Sequence, residues 1–159
     1  MFIFDFDGVI TEPTFSGEDG RFFEYNTDIN ELFEIRAKEF AQGINCYQYC
    51  KPVKPIVDFI NNLNEKIIII SIVSSSIESE YKIKVLKELF DINKIQFIGV
   101  ANNKCKAQVL STYNTDNTIY IDDNSYNLNE IEQILDKDMP HKIKLWHLST
   151  LLNYMEEIK

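Results

Sequence analysis

Two aspartates, Asp5 and Asp7, close the apolar run FIFDFDGVI (2–10) immediately before Gly8. An ionised carboxylate taken out of water costs several kcal/mol unless it is paired or binds a metal. Two of them at the end of a strand destined for burial therefore mark the opening of a site. Three more groups of reactive side chains follow, each after an apolar stretch. They are Ser74, Ser75 and Ser76; Lys104 and Lys106; and Asp122 with Asp123. Carboxylates that face one another repel, so such a cluster needs a cation, and hard oxygen ligands select Mg²⁺. A bound ion would also let a phosphate approach carboxylates that would otherwise repel it. Serine hydroxyls and the N–H groups of a helix start can hold phosphoryl oxygens, and lysine supplies a compact positive charge. An aspartate could then attack phosphorus, splitting a hard hydrolysis into two easier steps.

These residues can meet only if the chain folds into elements that bring the four stretches to one edge. Residues 2–6 read as a short apolar strand, and KIIIISIV (66–73) as a β-branched strand buried on both faces. IQFIGVA (95–101) and TIYI (118–121) read as further strands, and KIKLWHL alternates like an edge strand. Between them, KPIVDFINNLN (54–64) has helical apolar spacing, and IESEYKIKVLKELF (77–90) is amphipathic, with Ile77, Tyr81, Val85, Leu86 and Leu89 on one side. CKAQVLSTY, SYNLNEIEQIL (capped by Ser125) and STLLNYMEEI complete the helices. Alternating strands and helices predict an α/β, three-layer Rossmann-like parallel sheet with helices on both faces. In such sheets ligands bind beyond the carboxyl ends of the strands. Residues 1–12 and 52–159 form the expected core. Residues 13–51 interrupt the pattern with a polar, turn-rich start and one helix, DINELFEIRAKEFAQ, and are expected to form a small cap or lid.

Hydrophobic residues make up 45% of the 159 and charged residues 26%, the balance of a globular domain able to bury its own core. The net charge of −9 argues against a nucleic-acid surface, which requires clustered Lys and Arg. Cys46, Cys50 and Cys105 are too few and too scattered for a disulfide framework, and Cys46 with Cys50 lacks the further ligands of a zinc site. A reduced, cytoplasmic setting is expected. No signal-peptide pattern stands at the N-terminus, and the longest apolar run falls far short of the ~20 residues needed to span a bilayer, so no membrane partner is expected.

The segments DFDGVI, the serines after a β-branched strand, KCKAQVL and IYIDDNSYNL resemble, in order, the four motifs of the haloacid dehalogenase superfamily. The likeness covers residues 1–10 and about 52–140; its first motif is specific, while the second and third gain force from their order. It implies that Asp5 is the nucleophile and a metal ligand, and that Asp7 is the general acid/base, reaching Mg²⁺ through its backbone carbonyl. It implies that Ser74, with Ser75 beside it, binds the phosphoryl group. The lysine would be Lys106 or Lys104, with Lys106 favoured because KAQVL runs directly into a helix. Asp123 matches the metal-bound carboxylate, with Asp122 a ligand through water or a brace. Gly8 would let the chain turn tightly around a bound phosphate.

The implied function is a Mg²⁺-dependent phosphatase acting on a phosphorylated small molecule through an aspartyl-phosphate. A phosphomutase shares all four motifs, and a non-catalytic phosphate- or metal-binding module could occupy the same scaffold. A dehalogenase needs no metal and leaves Asp7, Asp122 and Asp123 unexplained. A phospho-receiver domain would carry its acidic pair after the first strand and its accepting aspartate after the third, which is the wrong order. Taken singly, a D-x-D is a turn, a DD a capping loop, a serine triplet a helix cap and a lysine a solvated charge. Their succession at four strand ends makes them a site. His141 and His147, outside that succession, are read as structural, and Trp146 as core. Phe22, Phe23, Tyr25, Phe33, Phe40, Tyr47 and Tyr49 are read as packing. A lid as small as 13–51 predicts an open site, or one closed by a partner subunit in a homo-oligomer.

Overall fold

The structure, a computed structural model, describes residues 1–12, 29–137 (side chains from 34) and 140–158. The turn-rich stretch after Glu12, Phe22, Phe23, Tyr25 and the Phe33 side chain lie outside the described residues. Five strands form one parallel sheet: β1 (Phe2–Phe4), β2 (Ile67–Ile72), β3 (Ile95–Val100), β4 (Ile119–Asp122) and β5 (Lys144–His147). Their order across the sheet is β3-β2-β1-β4-β5. The helices are α1 (Ile29–Ala41), α2 (Lys54–Asn62), α3 (Ser76–Leu89), α4 (Asn103–Ser111), α5 (Ser125–Leu135) and α6 (Leu148–Glu157). The chain is thus an α/β, three-layer Rossmann-like fold.

Successive side chains of a strand point to opposite faces, and both faces here are covered. Phe4, Ile67, Ile69 and Ile121 pack with Ile56 and Ile60 of α2, Leu86 of α3 and Leu151 of α6. Ile3, Ile68, Ile70 and Tyr120 pack with Ala107 and Leu110 of α4 and Leu128 and Ile131 of α5. This double burial is why β2 has no polar alternation: Ile67 to Ser71 are all buried. Phe40, Cys46 and Tyr47, from the segment expected as a lid, are buried in the same cluster as Phe4. Tyr49 is exposed, and Trp146 is half-buried against Tyr154.

Two local expectations are corrected. In α3, Leu86 is buried and Tyr81, Val85 and Leu89 pack half-buried against the core as expected, but Ile77 is exposed. Glu78 and Lys82 are buried beside them, because this charged pair turns inward. The cap of α5 is Asn124, whose side chain accepts the Tyr126 N–H, and Ser125 is the helix's first residue. Among the described residues no helix is long and apolar enough to cross a membrane.

Because all strands are parallel, their carboxyl ends share one edge. The chain steps outward from β1 to β3 and returns to place β4 beside β1, so the switch point lies at the β1 and β4 ends. Asp5 still belongs to that pairing, its N–H donating to Ile121 O at 2.8 Å.

Candidate active site

Beyond Asp5 the chain turns sharply: the N–H groups of Val9, Ile10 and Thr11 all point at Phe6 O. Gly8 takes φ +79°, a left-handed conformation that disfavours a side chain, and a Cβ there would overlap the Asp123 carboxylate. The glycine therefore serves two purposes, closing the turn and leaving room for Asp123.

One oxygen each from Asp5, Asp122 and Asp123 lies within 4.8 Å of the others. Lys106, buried on α4, sits between two of them, its Nζ 3.2 Å from Asp5 Oδ1 and 3.2 Å from Asp122 Oδ2. Its position follows from the α4 cap. Asn102 accepts the Cys105 N–H and starts the helix so that Lys106 falls on the same buried face as Ala107 and Leu110. Lys104, two residues earlier, is exposed and is not brought to the cluster.

Burial, with the repulsion of Asp122 and Asp7 added, pushes the Asp5 carboxyl up to about 7 although Lys106 pulls it down. Burial also raises Asp123, with Asp122 contributing. Lys106 titrates above its ordinary value because Asp5 and Asp122 outweigh the penalty of burying it. Asp122 is already saturated: one oxygen accepts from Lys106 and from Tyr120 OH at 2.7 Å, the other from Asn124 N–H and Asn127. Its oxygens are committed to protein donors, which makes it a brace. Asp123 is half-buried and carries its carboxylate toward the Gly8 turn. His147 steadies it from behind: its Nδ1 accepts the Ser149 N–H, so Nε2 carries the proton and donates to Asp123 O at 2.8 Å.

Asp7 faces a different cation. Lys82, fully buried on α3, places Nζ 2.6 Å from Asp7 Oδ2. Against the penalty of burial, Lys82 and Arg36 hold the Asp7 carboxyl below its usual range. The other oxygen, Oδ1, is buried with no hydrogen-bond partner among the described residues. Glu78, one turn before Lys82, completes the group, 3.2 Å from Lys82 and accepting from Tyr47 OH and from Ser74.

The serines divide the work. The hydroxyl and N–H of Ser74 both donate to Glu78 Oε2 at 2.8 Å, so its proton is engaged. Ser75 caps α3 by accepting the Glu78 N–H, which leaves its own proton for another acceptor. His141 lies elsewhere, paired with Asp136, and the three cysteines are free thiols.

Lys82, Glu78 and Arg36 carried no distinguishing signal in the sequence. A Glu and a Lys four apart on a helix is the ordinary pattern of a solvated ion pair. Only the alignment of both with Leu86, at the same helical spacing, hints that the pair faces inward.

Among the described residues, five carboxylates (Asp5, Asp7, Glu78, Asp122, Asp123) gather with three cations (Arg36, Lys82, Lys106). With Asp5 ionised, these described residues carry a surplus of two negative charges at one sheet edge, which one divalent ion would balance. Comparison with known proteins adds no name to this geometry: no family model, no curated protein and no solved structure matches the chain.

Proposed function

We propose that the chain is a Mg²⁺-dependent phosphatase of the haloacid dehalogenase type, hydrolysing a phosphorylated small molecule through an aspartyl-phosphate on Asp5. The observation that carries the reading is the convergence of Asp5, Asp122 and Asp123 around buried Lys106 at the topological switch point. The donor set fits a hard divalent cation, because the ligands that Asp5, Asp7 and Asp123 offer are all oxygen and, once Asp5 is ionised, the described cluster holds two uncompensated negative charges. Asp5 and Asp123 would hold the ion, with the backbone carbonyl of Asp7, and Asp122 would brace the site. When bound, Mg²⁺ supplies charge neutralisation and polarises the phosphoryl oxygens.

The remaining chemistry belongs to the chain. Lys106 keeps Asp5 Oδ1 in place and favours its ionised, nucleophilic form. Asp5 attacks phosphorus and the leaving oxygen departs, taking its proton from solvent; Asp7, kept ionised by Lys82 and Arg36, then takes a proton from the water that opens the aspartyl-phosphate and frees Asp5 and inorganic phosphate. The free proton of Ser75 and the first N–H groups of α3 supply donors for the phosphoryl oxygens.

The test is release of p-nitrophenol from p-nitrophenyl phosphate, with Mg²⁺ and with excess chelator, for the wild type and Asp5→Asn. The expected outcome is turnover that requires Mg²⁺ and vanishes in Asp5→Asn while the far-ultraviolet circular dichroism stays unchanged. Turnover that survives in Asp5→Asn would refute the covalent mechanism, and absence of turnover in every condition would favour a binding module.

A further inference from the structure

A lysine with none of its side chain exposed is an expensive choice for the inside of a helix, since an apolar residue of similar volume needs no partners. Lys82 has many. Its Nζ lies 2.6 Å from Asp7 Oδ2, 2.8 Å from Ser71 Oγ, 3.0 Å from Ile72 O and 3.2 Å from Glu78 Oε1. Two of these acceptors belong to β2 and one to the same helix, so the ammonium is fixed before Asp7 reaches it. Glu78 is itself held by Ser74 and Tyr47, and Arg36 lies 3.8 Å away. The rings of Phe6 and Tyr47 wall the ammonium on its remaining sides, each 5.3 Å from Nζ.

This arrangement gives the two oxygens of Asp7 different fates. Oδ2 is tied to a rigid donor, while Oδ1 is buried and has no partner among the described residues. A buried acceptor left without a donor is destabilising unless a ligand satisfies it. We infer that Lys82 is a positioning residue for Asp7, clamping Oδ2 so that Oδ1 is the oxygen presented to the reacting group. Through Glu78, the clamp also connects Asp7 to Ser74 in the loop where a phosphoryl group would sit. This inference rests on the phosphatase reading and adds to it a residue, from α3, that lies outside the four motif segments.

The test is a double-mutant cycle of Lys82→Met and Asp7→Asn, read two ways. The first reading is urea unfolding of the metal-free proteins, where direct pairing predicts strongly non-additive stability losses. The second is kcat and KM for p-nitrophenyl phosphate with Mg²⁺. Lys82→Met should lower kcat about 10²-fold with KM little changed, the scale of a misplaced reacting group. In the Asp7→Asn background the same substitution should lower kcat no further. Equal kcat losses in both backgrounds, or a stability loss with kcat unchanged, would overturn the inference while leaving the phosphatase reading standing. A wild type without turnover would overturn both, and the stability cycle would then describe an ordinary ion pair. If Lys82→Met fails to fold, the cycle is built in Glu78→Gln, where Asp7 opposite Arg36 leaves the cluster neutral once Lys82 is gone; the same outcomes decide.

Discussion

Replacing Lys106 by methionine, with Lys104→Met as the control, tests the electrostatics of the site most directly. Lys106 Nζ is 3.2 Å from an oxygen of Asp5 and from one of Asp122, and the three side chains are 1%, 11% and 0% exposed. Breaking a buried pair from one side costs ~3–5 kcal/mol, a large share of the ~5–15 kcal/mol that holds a domain together. The loss depends on pH, and its sign follows from Asp5. In the unfolded chain this carboxyl titrates at 3.8, and in the folded wild type it is raised to about 7. Between those values the folded state binds the extra proton, so the Asp5 contribution to stability falls as pH rises through that window. Below pH 7 Asp5 is protonated in both proteins, and the variant loses only the pairing of Asp122 with Lys106. Above pH 7 the wild type completes its titration, whereas the variant, lacking the cation, keeps losing up to about 1.4 kcal/mol per pH unit.

Urea unfolding in chelator should therefore give a loss of about 3 kcal/mol at pH 6 that grows toward pH 8. Lys104→Met, at an exposed position, should stay within ~0.5 kcal/mol of wild type throughout. Added Mg²⁺ should recover more stability in Lys106→Met than in wild type, because loss of the lysine leaves the cluster with one more uncompensated negative charge at any pH. A loss below ~1 kcal/mol, or one that does not change between pH 6 and pH 8, would refute the assignment of Lys106 as the counter-charge of Asp5.

Two further outcomes are expected. Gly8→Ala forces a side chain into the φ +79° turn and onto the Asp123 carboxylate. It should cost ~1–2 kcal/mol by denaturation and weaken Mg²⁺ binding at least ~10-fold by calorimetry, and unchanged Mg²⁺ affinity would count against Asp123 as a ligand. Glu78 is held below its usual value because, against burial, Lys82 and the Ser74 hydrogen bonds favour its charge. Its contribution is thus present above pH 4.5 and lost as pH falls through the depressed folded value. The destabilisation of Glu78→Gln, on the order of 2 kcal/mol at pH 7, should shrink in unfolding series taken below pH 4.5, and a difference that stays constant down to pH 3 would contradict the pairing.

The sheet was legible because its signals are local and redundant. Ile67 to Ile70 cannot alternate with solvent, and the apolar stretches that precede Asp5 and Asp122 each end in a carboxylate that only an open strand end tolerates. A parallel arrangement follows from the helices between strands, and it alone brings Asp5, Ser74, Asn102 and Asp122 to one edge. The helix faces were less legible. In α3 the expected side packs against the core through Tyr81, Val85, Leu86 and Leu89, but Ile77 at its end is exposed. Glu78 and Lys82, which hydrophobicity places outside, are buried because their charges satisfy one another.

The same distinction separates the parts of the site that could be anticipated from those that could not. Asp5, Asp7, Lys106 and Asp122 follow strand ends or helix starts, where a polar residue is conspicuous, and backbone topology alone brings them near each other. Glu78 lies in the first turn of α3 and Lys82 in the second, where Glu and Lys are ordinary. The burial of Lys82 depends on a partner 75 residues away in sequence, Asp7. The choice between Lys104 and Lys106 belongs to this second kind. It turns on where α4 begins, and the Asn102 cap sets that start three residues before Cys105, rotating Lys106 inward and Lys104 out. A two-residue shift of that cap, about 200° around the helix, would bring Lys104 inward and turn Lys106 out. The placement of the site's central cation therefore rests on an asparagine that carries no charge and touches neither carboxylate.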